Sequence, residues 1–229
     1  MPGKLHKQRL GALRAPVAIL FDWDNTLVDS IPSIGRAINI TLTAMGQEPW
    51  PQKEMSQRIG RSLREVFPDI FGAKWQEARE IFYAAFERSH LEELKALPGA
   101  IEVLKNANSL GLVLGVVSNK VQKYLEREVE HLRWNQYFFR VVGAGHANRD
   151  KPAPEPVFSV LEGSGVDAGQ DVWFVGDNLL DMECGTAAGC QTVLINKKSP
   201  NSKRFGRFMP NLHLQDLNEF GHLLKSLRS

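Results

Sequence analysis

The stretch Val17–Ser30, VAILFDWDNTLVDS, decides the fold. It opens on a short apolar run, Val17 to Phe21, which suits a strand buried on both faces and is too short for a signal-peptide core. The run stops abruptly at Asp22. Asp24 follows two positions on, and in extended backbone positions i and i+2 point the same way. Two carboxylates then converge on one spot, with Trp23 directed elsewhere. Like charges so close repel unless a cation neutralises them or one carries a proton.

Working outward, the same pattern recurs. Leu112–Val117 ends at Ser118-Asn119-Lys120, and Phe138–Val142 leads into Gly143-Ala144-Gly145. Asp171–Val175 stops at Gly176-Asp177-Asn178, and Thr192–Ile195 is a further run. Helix-like segments, roughly Gly99–Leu110, Val121–Leu132, Glu155–Gly163 and Leu179–Ala188, separate most of them. Strand, helix, strand in repetition predicts an α/β fold, a parallel Rossmann-like sheet with helices on both faces. Ligands of such sheets bind at the carboxyl ends of the strands. Asp22, Asp24, Ser118, Asn119 and Asp177 are therefore the residues to inspect. Asp177 adds a third oxygen ligand to the aspartate pair, and carboxylates or carbonyls plus water are what magnesium accepts.

One stretch breaks the rhythm. About ninety residues separate the first apolar run from the second, where a simple crossover needs far fewer. Ile31 to about Leu97 reads as helical throughout. Ile34, Ala37, Ile38, Ile40, Thr41, Leu42 and Met45 form a helical stripe with Gly46 as its stop, and Ala73–Leu94 forms a longer one. Leu97-Pro98-Gly99 punctuates the return. The expected organisation is a flexible basic N-terminus over 1–16, an α/β core from 17–29 and 98–229, and an inserted α-helical cap over 30–97. The stretch Asn196–Pro210 reads as a polar, basic loop, and Leu214–Leu227 as a final helix.

Composition sets bounds without naming a function. The chain has 229 residues, 43% apolar and 24% charged, with a formal charge of +2. That near balance calls for neither a nucleic-acid nor a membrane partner, and no stretch approaches the roughly 20 apolar residues of a membrane span. Lys4, Lys7, Arg9 and Arg14 near the start read as a solvated terminus. Cys184 and Cys190 form neither a CxxC pair nor a Cys/His cluster, so no zinc site is suggested and a reducing cytoplasm fits.

Asp22-Trp23-Asp24-Asn25-Thr26-Leu27-Val28-Asp29-Ser30 resembles the first motif of the haloacid dehalogenase superfamily, usually DxDGTLxDS. Val116-Val117-Ser118-Asn119-Lys120 resembles the second motif, Lys151-Pro152-Ala153-Pro154-Glu155-Pro156 the third, and Val175-Gly176-Asp177-Asn178-Leu179-Leu180-Asp181-Met182 the fourth. Order and spacing match from Val17 onward, and the helical insertion and the GDNLLDMECGTAAG stretch are similar to the phosphoglycolate-phosphatase-like branch.

The resemblance implies a haloacid-dehalogenase-like core, a phosphoric-monoester hydrolase and a small-molecule phosphate ester as substrate, with phosphoglycolate favoured. It implies Asp22 as nucleophile and Asp24 as general acid/base. Magnesium would be held by the Asp22 side chain, the Asp24 backbone carbonyl and Asp177, with Asp181 supporting its water shell. Ser118 and the Asn119 backbone would hold phosphoryl oxygens, and Lys151 would neutralise their charge. A carboxylate at Asp24 argues against a dehalogenase, whose halide leaving group needs no acid. Two rivals remain: a phosphomutase of the β-phosphoglucomutase type, and a non-catalytic phosphate-binding protein, which the filled catalytic positions disfavour. Asn25 departs from the usual glycine, but asparagine tolerates unusual backbone angles.

Other residues admit plainer readings. Asp29 and Ser30 suit a helix N-cap and hinge. Asp177 and Asp181 alone would suit a helix N-terminus. The histidines do not cluster, and His90, His131, His146, His213 and His222 are expected at the surface. Trp50, Trp75 and Trp134 are expected in the core or at the cap interface. Arg58, Arg61 and Arg64 could meet a substrate carboxylate or second phosphate, or could line a solvated helix start.

Overall fold

Ala18–Phe21 forms a strand whose four residues are all fully buried. This is the double-sided burial that its unbroken apolar run requires. The structure, a computed structural model, describes residues 14–51, 53–55 and 63–227. In chain order its strands are β1 (Ala18–Phe21), β2 (Val28–Asp29), β3 (Lys95–Ala96), β4 (Val113–Val121), β5 (Arg140–Ala144), β6 (Val172–Gly176), β7 (Gln191–Ile195) and β8 (Leu212–Leu214). Its helices are α1 (Ile31–Ala44), α2 (Leu63–Phe71), α3 (Trp75–Ser89), α4 (Ala100–Ser109), α5 (Gln122–His131), α6 (Glu155–Leu161), α7 (Leu179–Ala187), α8 (Ser202–Phe205) and α9 (Leu217–Ser226). By contacts the chain divides into two compact units, one over Val28–Lys95 and one formed by the rest.

The larger unit holds a six-stranded sheet in the order β5-β4-β1-β6-β7-β8, and every pairing is parallel. The chain builds outward from β1 to β4 and β5, then returns to β1's other side for β6, β7 and β8. The winding reverses at β1, and in open parallel sheets that reversal opens a crevice at the strands' carboxyl ends. Ala18 and Leu20 face a core with Val117, Val142, Phe174 and residues of α6 and α7. On the other face Phe220 of α9 meets Phe21 edge-on at 6.2 Å and packs beside Trp173. Each large apolar side chain buried this way stabilises the fold by roughly 1.5–3 kcal/mol.

The smaller unit is helical, with α1 and α3 packed on each other. Ile34, Ala37, Ile38 and Leu42 from α1 and Ala78, Phe82, Ala85 and Phe86 from α3 are among its buried residues. Phe67 meets both Phe71 and Phe82 at 5.2 and 5.5 Å. The segment is not helical throughout as the apolar pattern suggested. Gly46 takes a positive φ of 73° and ends α1's turn, and α3 starts at Trp75 after a 3₁₀ turn and stops at Ser89 rather than Leu94. The short strands β2 and β3, one leading into this unit and one leading out, pair with each other.

Two further expectations change. His90 is fully buried, stacked on Phe86 with ring centroids 4.8 Å apart, because its position continues the apolar face of α3 by one turn. The loop Asn196–Pro210 contains α8 and a 3₁₀ turn over Gly206–Phe208, with Phe205 buried against Met182 and Leu194. Among the described residues no helix is long and apolar enough to cross a membrane.

Candidate active site

Asp22 follows β1 directly, and its backbone N–H donates to the Val175 carbonyl of β6 at 2.8 Å. That bond fixes the residue between the two halves of the sheet. Asp22 is 5% exposed. One carboxylate oxygen accepts from Lys151 Nζ at 2.6 Å and the other from Thr26 Oγ1 at 3.0 Å. Asn25 sits between them in sequence at φ 63°, the left-handed conformation that lets the chain fold back so that Thr26 reaches Asp22. Thr26 is a site residue the motif reading did not single out; its position four residues after Asp22 was the available signal.

Lys151 arrives from the loop before α6. Its ammonium bridges Asp22 and Asp181, at 2.7 Å from the latter. The loop is held by a reciprocal pair in which the Asn119 side chain donates to the Lys151 carbonyl and accepts from the Lys151 N–H, both at 3.0 Å. The Asn119 side chain is thus a latch for the lysine. Ser118 is buried in β4, and its Oγ accepts from the Lys120 N–H at 3.1 Å.

Asp177 directly follows β6 and Asp181 lies in the first turn of α7. Asp181 completes a capping box with Asn178: its Oδ2 accepts from the N–H groups of Asp177 and Asn178 at 3.1 Å each. The helix-capping role and a site role therefore coexist in one side chain. Asn196, which follows β7, donates to the Asp177 carbonyl at 3.0 Å. Asp22, Asp177 and Asp181 offer carboxylate oxygens all within 4.8 Å of one another.

The electrostatics follow from this crowding. Burial first, then the charges of Asp181 and Asp24, push the Asp22 carboxyl up to about 7, although Lys151 opposes the rise. Asp177 is likewise raised well above the ordinary carboxylate range, by burial and then by Asp181 and Asp22. Burial pulls the Lys151 ammonium down, but Asp181 and Asp22 outweigh it and hold the lysine charged. Three carboxylates thus face one ammonium, and the unbalanced negative charge fits a divalent cation with oxygen ligands.

The second aspartate has a lysine of its own. Lys120 Nζ lies 2.6 Å from Asp24 Oδ1 and 2.6 Å from Glu128 Oε2. Trp23 turns away from both aspartates, as the strand alternation predicts, and donates through Nε1 to the same Glu128 oxygen at 2.7 Å. Neither Lys120 nor Glu128 was legible as a site residue. Glu128 lies 105 residues from Trp23 and sits on α5, where an acid reads as a solvated face.

Of the specificity candidates, Arg58 and Arg61 lie outside the described residues. Arg64 falls in α2, but its side chain lies outside them. Asp29 accepts from the Ile31 N–H at 3.3 Å and Ser30 occupies the N-cap position of α1 without a side-chain cap bond. Trp134 is buried against Trp23 at 5.7 Å, whereas Trp50 and Trp75 are half-buried.

Gly176 shows how tightly the site is built. A Cβ there would run into the Asp181 side chain. We expect Gly176→Ala to displace Asp181 from Lys151 and from the two amides. The overpacking should cost about 1–3 kcal/mol in urea unfolding. A variant with native stability would show that Asp181 is free to shift.

A family model for haloacid dehalogenase-like hydrolases matches residues 19–195, from β1 through β7. The chain belongs to the haloacid dehalogenase-like hydrolases. Among relatives in this family, the phosphoglycolate phosphatase of Aquifex aeolicus is 32% identical over 180 residues, covering 77% of this chain and 83% of that protein. The phosphoglycolate phosphatase of Pseudomonas fluorescens strain Pf-5 is 27% identical over 214 residues, covering 89% and 78% respectively. A haloacid dehalogenase-like hydrolase from Streptococcus pneumoniae shares the fold, with a TM-score of 0.79 at 20% identity over 91% of this chain and 98% of that one. This hydrolase falls in the phosphoglycolate-phosphatase-like branch and is a phosphatase of the family.

Proposed function

We propose that the chain hydrolyses a small phosphate monoester in two steps through an aspartyl-phosphate on Asp22, with a magnesium ion bound beside it. The observation that carries this reading is the buried Asp22 carboxylate, held by Lys151 and Thr26 at the carboxyl end of the central strand. In the first step an Asp22 carboxylate oxygen attacks phosphorus, the P–O ester bond breaks, and Asp24 gives its proton to the departing alkoxide. In the second, Asp24 takes a proton from water. The water oxygen attacks phosphorus, the Asp22–phosphorus linkage breaks, and inorganic phosphate leaves.

Ser118 and the Asn119 backbone bind the phosphoryl oxygens. Ser118 Oγ already accepts from the Lys120 amide, so its own proton is available to the phosphate. Lys151 offsets negative charge on the phosphoryl group as it is transferred. The Asp22 and Asp177 side chains and the Asp24 carbonyl would hold magnesium, with Asp181 ordering its water. The cation would supply charge neutralisation between Asp22 and the phosphoryl oxygens.

We assign substrate selection to the helical unit, which is inserted directly after the Asp22–Asp24 motif. The names of the relatives favour 2-phosphoglycolate, and the unpaired, buried thiols of Cys184 and Cys190 fit a cytoplasmic location. A panel of phosphate monoesters assayed with magnesium tests the proposal. We expect 2-phosphoglycolate to give the highest kcat/KM. A higher value for a nucleotide or sugar phosphate would reassign the substrate, and turnover dependent on a sugar bisphosphate would establish a mutase.

A further inference from the structure

We propose that Lys120, braced by Glu128 and Trp23, is a positioning residue that holds the Asp24 carboxylate toward the leaving oxygen of the substrate. The inference rests on the phosphatase reading above and adds residues that none of the sequence motifs assigns to the acid/base step.

The four side chains form one continuous line. Trp23 Nε1 and Lys120 Nζ both donate to Glu128 Oε2, at 2.7 and 2.6 Å, and Lys120 Nζ reaches on to Asp24 Oδ1 at 2.6 Å. The Lys120 and Glu128 side chains are 5% and 1% exposed, whereas that of Asp24 is 23% exposed. The line therefore runs from the interior to the one carboxylate that faces outward. Burying an ion pair costs several kcal/mol in desolvation, and apolar residues of similar size would stabilise the fold at least as well. The arrangement is better accounted for by what it holds than by the stability it adds.

Three features make it a device for orientation. Lys120 pairs with Oδ1 of Asp24, which restrains the rotation of the carboxylate and leaves Oδ2 for proton transfer. Glu128 balances the charge of Lys120, so the ammonium pairs with Asp24 without leaving an uncompensated cation beside it. Trp23 is confined by Trp134 and Phe138, at 5.7 and 6.4 Å between ring centroids, and it lies between Asp22 and Asp24 in the chain. The anchor of Glu128 is thus also part of the backbone that carries both aspartates. Lys151, by contrast, bridges Asp22 and Asp181. Each aspartate of the pair has a separate lysine.

A positioned acid matters most when the leaving group needs a proton. The test compares kcat/KM for the best alkyl phosphate of the panel with that for p-nitrophenyl phosphate, whose leaving anion is stable unprotonated. Magnesium is present throughout, and kcat/KM reports the steps up to release of the leaving group. For Lys120→Met we expect a loss of about 100-fold on the alkyl ester and under about 10-fold on the aryl ester, within the range of general acid catalysis. Lys120→Arg should recover part of the difference. Glu128→Gln, which keeps the shape and the acceptor for Trp23, should show the same contrast in weaker form and serves if Lys120→Met does not fold. Equal losses on both esters would overturn the proposal. Asp24→Asn is measured alongside. If it shows the contrast and the lysine variants do not, this inference alone fails; if Asp24→Asn shows none, the assignment of Asp24 as the acid fails with it.

Discussion

Asp22→Asn should abolish turnover, lowering kcat by at least about 10⁴-fold on every ester, the scale on which loss of a covalent nucleophile is felt. The amide is nearly the same size as the carboxylate; its one oxygen can still accept from Lys151, and its Nδ2 can donate to the Thr26 hydroxyl oxygen, so the fold should survive. The loss should be independent of the leaving group, because no aspartyl-phosphate forms whatever departs. Rapid-quench labelling with a radioactive phosphate ester should trap phosphoenzyme in the wild type and none in the variant. Residual turnover above a few per cent would mean that water attacks the ester directly and that Asp22 serves only as a ligand.

Removing divalent cations should have a comparable effect on activity and a second effect on stability. Chelation should lower turnover by about 10³-fold or more, with recovery on adding magnesium. In the cation-free protein, Asp22 keeps its proton up to about 7, pushed there first by burial. The unfolded chain releases the same proton near 3.9. Between those values the folded state binds more protons than the unfolded one, so stability falls as pH rises from about 4 to about 7 and levels off above. Asp177, raised for the same reason, adds to the fall. The loss should amount to a few kcal/mol. Saturating magnesium should offset much of it, because a cation that binds only the folded state stabilises it, by about 2.7 kcal/mol at a hundred times its Kd. Denaturation midpoints at pH 5 and pH 8, with chelator and with magnesium, measure both effects. Equal midpoints in all four conditions would remove the acidic cluster as a cation site.

How much of this was legible in the sequence depends on range. The long apolar runs that end at Asp22, Ser118 and Asp177 are strands because each is too apolar to face water on either side, and that is visible locally. The three-residue strand β8 has no signature between the expected loop and the expected final helix, since Leu212, His213 and Leu214 are too few to display a period of two. The four-residue α8 was hidden in a polar loop for the same reason. At the site, the residues at strand ends could be named, because parallel topology places them together. The connection from Trp23 to Glu128 spans 105 residues and has no local signature. The latch between Asn119 and Lys151 spans 32 and has none either. His90 is buried rather than at the surface because its position, one turn after Phe86, outweighs its polarity.

The paired strands β2 and β3 bring the two ends of the inserted segment side by side, and just inside them the Leu97 N–H donates to the Leu27 carbonyl at 2.9 Å. The segment therefore leaves and rejoins the sheet-bearing unit at one place. Everything from Val28 to Lys95 has the connectivity of a cassette, because the chain on either side of it is already joined by a hydrogen bond. Exchange of that cassette between relatives would test the proposed assignment of substrate selection to the helical unit.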